Sequence, residues 1–350
     1  MLEVDKVYCM SSFLMHRLIL NQNKTFNRSV IPKFFTKNLD KTIVYSSEEL
    51  EHKLKESVKL ITNDGKAALA LSGGIDSAVL AKYMPKGSKA YTFKCIVPGI
   101  EVIDESVQAA KYAEECGLKH EVIEIYWNDM EEYAPLLMKA KGAPIHSIEV
   151  QIYKAALKAK EDGFDKFIFG ETADINYGGL SGLLSRDWTI GEYIDRYSYV
   201  LPHKVLKDFT YVIESFVDCC DDNGFVDVHK HLRKWDYIED MSCYVNACKA
   251  AGVKCIAPYS VTWMGIPLDY TRVRNGENKY FIRDIFKRNY SGWNVPEKIP
   301  MPRPMNEWLR DWEGPTRPEF WRNCTKNMTG DQKWLVWALE NFLNMIEQEI

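Results

Sequence analysis

The stretch AALALSGGIDSAVL, residues 67–80, constrains this chain more than any other. A short apolar run ends at Leu71. Ser72, Gly73 and Gly74 then turn the chain, and a helical pattern begins at Asp76. The expected result is a buried strand, a glycine turn and a helix N-terminus. Glycine takes backbone angles closed to other residues and lets a ligand approach the main chain. The first helical turn presents unpaired N–H groups at the positive end of the helix. Anions, phosphates above all, bind at such a place. The same residues also satisfy a plain tight turn with Ser72 or Asp76 as the helix cap.

The side chains narrow the ligand. A lysine-bearing phosphate loop needs G-x-x-x-x-G-K-[ST], and no lysine follows these glycines. Asp76 opens the helix instead. A carboxylate beside bound phosphates needs a cation between them, so Asp76 reads as a Mg²⁺ ligand. Ser72 and Ser77 offer hydroxyl donors to phosphate oxygens. A second stretch, FIFGETADINYGG at 167–179, repeats the form: an apolar strand, a glycine, acids and two further glycines. If the two strands are neighbours, Glu171 and Asp174 reach the same edge as Asp76 and hold Mg²⁺ against the β and γ phosphates. Alone, this stretch also reads as a polar surface loop capped by Asp174.

Between residues 46 and 180 the chain alternates. Strands are expected at 67–71, 90–96, 120–125 and 166–169, with helices from Ser46 or Ser47 and at 77–83, 104–116, 130–141 and 147–160. Such alternation argues for a parallel sheet with helices on both faces and ligands at the carboxyl strand ends. Beyond 180 the pattern is mainly helical, with amphipathic helices expected at 205–216, 236–251, 280–286 and 334–350 and one more strand at 254–257. A short helix is expected at 11–20. Residues 291–318, rich in Pro and Trp, read as an ordered irregular segment packed over something. The division is an N-terminal extension (1–45), an α/β core that carries both glycine turns (46–200) and a helical C-terminal part (201–350).

Apolar residues make up 46% of the 350, enough for a sizeable core, and the net charge is −4. That balance gives no global pull toward nucleic acid or an anionic membrane. No apolar run is long enough to span a bilayer, and the N-terminus lacks the form of a signal peptide. Nine cysteines without a C-x-x-C pair point to reduced thiols and a cytoplasmic protein. The histidines show no metal spacing; His120 and His146 read first as core or strand-edge residues, and His146, before the helix leading to the second stretch, is also a candidate for the substrate pocket. The run His229 to Lys234 reads as a solvated face.

The S-G-G-x-D-S loop resembles the pyrophosphate loop of the ATP pyrophosphatases, whose adenine-nucleotide (HUP-like) domains are α/β. With it, G-E-x-A-D-x-x-x-G-G at 170–179 is similar to the second motif of the asparagine synthetase C-terminal (synthetase) domain. Thr92-Phe93, Asp104-Glu105, His120-Glu121-Val122, Pro258-Tyr259, the Gly276 to Arg283 stretch and Pro296 to Trp308 follow in that family's order. The resemblance spans roughly residues 45 to 345. It implies that Leu71, Ser72, Gly73, Gly74, Asp76, Ser77, Phe93, Gly170 and Arg283 bind ATP and pyrophosphate. It implies Asp76 and Asp174 as Mg²⁺ ligands, Lys279 as the catalytic cation on the departing pyrophosphate, and ATP and Mg²⁺ as cofactors. A lysine suits developing phosphate charge on its own account, and Lys279, Arg283 and Lys287 fall on one helical face if the helix spans all three. Glu171 stands beside the metal as a base or an amine contact.

The departures are also informative. Position two is Leu2, and about 65 residues precede the phosphate loop, too few for a glutaminase domain. Ammonia or another amine is then expected to come free or from a separate glutaminase. Ile175 replaces the acid after Asp174. Lys254-Cys255-Ile256-Ala257 and Ser260-Val261 replace the family's substrate-side pattern. The expected function is an AMP-forming amide ligase acting on a small carboxylate other than aspartate, without membrane or nucleic-acid partners and with homo-oligomerisation left open. Three alternatives remain: a tRNA-modifying adenylating enzyme, an intramolecular lactam-forming synthetase and a non-catalytic nucleotide-binding subunit.

Overall fold

The computed structural model describes residues 2–33 and 40–348; the ends of the expected terminal parts at Met1 and 349–350 lie outside it, as do residues 34–39. Its centre is a five-stranded parallel sheet of β1 (Ala67–Ala70), β2 (Lys89–Cys95), β3 (Lys119–Ile125), β4 (Lys166–Ile168) and β5 (Lys254–Ile256), in the order β3-β2-β1-β4-β5. β1 pairs with β4 in the register Ala67↔Lys166 to Leu69↔Ile168. From β1 the chain winds outward through β2 and β3, then returns to the other side of β1 for β4 and β5. The winding therefore reverses between β1 and β4, and ligands of open α/β sheets bind outside the carboxyl ends at such a reversal.

Ala68 and Leu69 on β1 and Phe167 and Ile168 on β4 are fully buried, as a sheet covered on both faces requires. One face carries α1 (Ser47–Ile61), α2 (Ile75–Ala81), α3 (Ser106–Cys116) and α7 (Tyr280–Asn289). The other carries α4 (Trp127–Lys141), α5 (Ile148–Glu161) and α6 (Tyr237–Ala250). A closing helix, α8 (Gly330–Gln348), packs on α4 and on the N-terminal helix Lys6–His16. Phe13, Leu14, Met15 and Trp334 are fully buried in the same apolar cluster as the sheet.

The fold is the expected one, with local differences. The N-terminal helix runs Lys6–His16 and not 11–20, because Arg17 turns left-handed (φ 55) and its N–H caps back to Phe13. Residues 205–213 are not helical: a turn at 205, a bridge at 206 and bends at 207–208 lead into an irregular stretch, and of the expected helix Glu214–Val217 forms. Phe209, Tyr211 and Ile213 are 41, 47 and 36% exposed, and Val212 between them is buried. That period of two is a strand's. The N–H groups of the segment go outside it, Lys207 to the Glu319 carbonyl and Thr210 to Ser11 Oγ. Helix Ile190–Tyr197 and a parallel pair of short strands, Thr42–Val44 with Thr262–Met264, were not anticipated. His229 is buried and His231 is buried in an aromatic cluster, so the run 229–234 is not a solvated face. All nine cysteines are free. Among the described residues, no helix is long and apolar enough to cross a membrane.

Candidate active site

The turn after β1 is held by its own side chains. The Ser72 N–H donates to Ser77 Oγ (3.0 Å), the two serine hydroxyls lie 2.9 Å apart, and the Gly74 N–H donates to Ser72 Oγ (3.2 Å). Leu71 is tied to β2 through the Tyr91 carbonyl, and the Thr92 hydroxyl donates to the Leu71 carbonyl (2.6 Å). The turn after β4 comes very close to it. A Cβ on Gly170 would lie 2.9 Å from the Ser77 nitrogen, so only glycine allows the approach. The buried Tyr259 braces the pair, its hydroxyl donating to the Asp76 carbonyl (3.1 Å).

Three expected residues meet where these turns meet. Lys279 Nζ lies 2.7 Å from Asp76 Oδ2 and 3.0 Å from Asp174 Oδ1. Burial would lower the lysine's pKa, but the two carboxylates raise it well above the ordinary range. Burial also acts on Asp174, yet Lys279 and Lys298 outweigh it and bring its carboxyl down to about 2. Asp76 shares a single lysine, so burial and the charge of Asp174 prevail and its carboxyl is raised. Lys279 is the N-cap of α7 in a left-handed conformation (φ 51), and Thr172 before Asp174 is left-handed too (φ 68). Such strain in non-glycine residues persists where surrounding structure enforces it, and it gathers at functional sites. Because α7 begins after Lys279, the lysine does not share a helical stripe with Arg283 and Lys287. Arg283 instead grips Asn278 through its carbonyl (2.7 Å) and its Oδ1 (2.7 Å).

Asp76 Oδ1 and Asp174 Oδ1 are buried without a hydrogen bond. For Asp174 Oδ1 the nearby ammonium satisfies charge but not hydrogen-bond geometry. Two hard carboxylate oxygens in this condition, converging beside an anion-binding turn, fit a Mg²⁺ ion.

The turns open into a cavity of about 590 Å³ lined by Leu71, Ser72, Gly74, Asp76, Ser77, Phe93, Gly170, Glu171, Asp174, Lys279 and Arg283. Gly73 lies just behind, its N–H donating to Glu105 Oε2 (3.3 Å). Thus the expected residues are brought together. Of the far end, His146 alone was expected in the cavity, as a candidate for the substrate pocket. Arg17, His146, Tyr199, Asp236, Asp240 and Tyr244 form it, drawn from separate parts of the chain. The Arg17 guanidinium bonds the Tyr199 hydroxyl, Glu239 Oε2 (2.8 Å) and His146 Nε2 (2.8 Å). Burial, then Arg17, Arg303 and Lys141, push His146 well below its ordinary range, so it is neutral. Burial and the charge of Glu171 push Asp240 well above its range, and burial raises Asp236. His146, Glu239 and Cys243 have ligand atoms within 4.8 Å of one another. Arg17 and Lys141 already supply positive charge there, so the trio reads as a buried polar network rather than a zinc site.

The family model for asparagine synthase matches residues 49–225. No curated protein sequence matches the chain. Among solved structures, the chain is similar to the NMN synthetase from Francisella tularensis, at 14% identity and a TM-score of 0.29 over 73% of this chain and 99% of that one. It is also similar to the NH3-dependent NAD synthetase from Campylobacter jejuni in complex with the nitrate ion, at 12% identity and a TM-score of 0.26 over the same shares of each chain. Likeness at that level bears on neither substrate nor mechanism.

Proposed function

The chain belongs to the asparagine synthase family, a family of ATP-using synthetases, and from that premise we propose that it is an AMP-forming amide ligase. A substrate carboxylate attacks the α phosphorus of ATP, pyrophosphate leaves, and ammonia or an amine takes the acyl group from the adenylate and displaces AMP. The observation that carries this reading is the convergence of Asp76, Asp174 and Lys279 at the sheet's reversal point. In this reading Ser72, Gly73, Gly74 and Ser77 hold phosphate oxygens, and Leu71 and Phe93 face the adenine. Gly170 keeps the two turns in contact, and Arg283 fixes Asn278 beside Lys279. Lys279 stabilises the charge that develops on the departing pyrophosphate. Asp76 and Asp174 would hold Mg²⁺, which neutralises phosphate charge when bound.

The amine is taken at the far end, where the oxygens of Glu171, Asp236 and Asp240 suit an ammonium ion or amine and accept the proton it loses before its lone pair attacks. We read residues 46–200 as supplying the nucleotide turns together with His146, Glu171 and Tyr199 of the acceptor wall, 201–350 as supplying Asp236, Asp240 and Tyr244 of that wall together with Lys279 and Arg283, and 1–45 as contributing Arg17. The substitutions at Ile175 and 254–257 favour a carboxylate other than aspartate, and the free thiols favour a reducing, cytoplasmic setting. The test is pyrophosphate release screened over a pool of small carboxylates with and without ammonium, comparing the wild type with Asp76→Ala. Release that needs a carboxylate and is lost in the variant supports the reading; equal release from both proteins defeats it.

A further inference from the structure

Residues 294–304 form a strap without regular secondary structure, and residues 295–303 line the cavity. The strap is fixed at both ends. Trp293 stacks on Tyr112 with ring centroids 5.4 Å apart. At the other end the Pro302 carbonyl accepts from Cys95 Sγ (3.3 Å) and Gln151 Nε2 (3.2 Å), and Arg303 pairs with Asp331 (2.6 Å). Between these anchors, residues 297–300 are exposed. Among the described residues, the hydrogen bonds and ion pairs of 294–300 come from Lys298 alone. Its Nζ lies 2.9 Å from Asp174 Oδ2 and 3.4 Å from the Gly179 carbonyl.

We propose that Lys298 and a divalent ion are alternative partners of Asp174, and that Lys298, once released, pairs with a phosphate oxygen of ATP and draws the strap over the nucleotide. The inference rests on the ATP-using reading of the site. Asp76 and Asp174 carry two negative charges, and Lys279 and Lys298 neutralise them. An ion bound by both carboxylates takes over their charge and repels the two ammoniums beside it, which favours the release of one of them. Lys279 is poorly placed to leave, with its side chain 7% exposed and its backbone locked left-handed. Lys298 is 38% exposed, on a flexible four-carbon stem, in the middle of a segment held only at its ends. The phosphates that arrive with the ion enter the same cavity and offer the displaced ammonium a stronger anionic partner than a carbonyl.

The two halves of the proposal have opposite signs, which makes them testable by binding alone. The probes are Mn²⁺ by itself, followed by electron paramagnetic resonance, and Mn²⁺ with α,β-methylene-ATP, followed by calorimetry. In Lys298→Met the competing cation is gone, so Mn²⁺ alone binds about fivefold more tightly. The same variant loses a phosphate partner, so the Mn²⁺–nucleotide pair binds about tenfold more weakly. Lys298→Arg restores nucleotide affinity. Hydrogen exchange across 294–300 slows on nucleotide binding in the wild type and not in Lys298→Met. A lysine that only braces the strap would shift both affinities in one direction or neither, and either result overturns the proposal. If the wild type fails to bind the nucleotide, the ATP reading falls with it; if the wild type and Lys298→Met bind it equally, this inference falls alone.

Discussion

The two ends of the cavity are built on different principles. The phosphate end is made of backbone, in two glycine turns at the tips of neighbouring strands, and its fixed charges balance: Asp76 and Asp174 against Lys279 and Lys298. The acceptor end is made of side chains from distant parts of the chain. There Glu171, Asp236, Glu239 and Asp240 face the guanidinium of Arg17. In the proposed reading the first end serves the nucleotide, and its balanced charge suits a ligand that is bound and released with its own cation; the second end serves the acceptor, and it gathers acids that no backbone motif organises. Functional sites commonly break the rules that stabilise the rest of a fold.

The largest effect on stability is expected at Arg17, the cation bonded to Glu239 at the far end. Arg17→Met leaves Glu239 buried (2% exposed) without its partner. Breaking a buried pair from one side costs about 3–5 kcal/mol. Urea unfolding of this variant at neutral pH is expected to show a loss of that size. A loss below about 1 kcal/mol, the value of an exposed pair, would mean the acids there are protonated or solvated and the contrast between the two ends is false.

At the phosphate end the corresponding change is Lys279→Met. Pyrophosphate release is expected to fall about 10²- to 10³-fold, the usual result of deleting one group aimed at developing charge. If the rate falls less than tenfold, Lys298 or a metal carries that charge and Lys279 is structural. Gly170→Ala sharpens the comparison next. The added methyl would lie 2.9 Å from the Ser77 nitrogen and 3.1 Å from Asp76 Cβ. Overpacking of this kind costs about 1–3 kcal/mol, and here it parts the two turns, so nucleotide affinity should fall with stability. An unchanged affinity for α,β-methylene-ATP would show that the turns act independently.

The same contrast explains what could be read from the sequence. Ser72 to Ser77 and Gly170 to Asp174 are local motifs, and each announces itself because a turn that exposes backbone N–H groups needs glycine at fixed places. Neighbouring strands then brought them together as the alternating pattern implied. Arg17, His146, Tyr199, Asp236 and Asp240 have no shared motif; each sits in an ordinary helix or loop, and only packing assembles them. Lys279 was found by resemblance, but its helical stripe with Arg283 was not real, since a left-handed residue cannot continue a helix. The period-two exposure of 209–213 was legible in principle and was mistaken for an amphipathic helix because apolar residues there also fit a spacing of three and four.

The smallest effect concerns Glu105, which tests whether the phosphate end is as balanced as it looks. Its carboxyl accepts from the Gly73 N–H, inside the anion-binding turn. Burial nonetheless pushes its pKa up to about 7, from an ordinary 4.5, and Asp104 adds to the rise while the Gly73 bond opposes it. The folded protein therefore holds this proton more tightly than the unfolded chain. The stabilisation is fully present below about pH 4.5 and is lost as pH rises through about 7. Glu105→Gln cannot ionise, so its stability should match the wild type near pH 5 and exceed it increasingly toward pH 8, measured by urea unfolding at each pH. Nucleotide affinity should follow the same course, because an ionised Glu105 competes with phosphate for the Gly73 N–H. A stability difference that is constant across this range would show that Glu105 stays in one protonation state, and pH in this range would then leave the charge of the phosphate end unchanged.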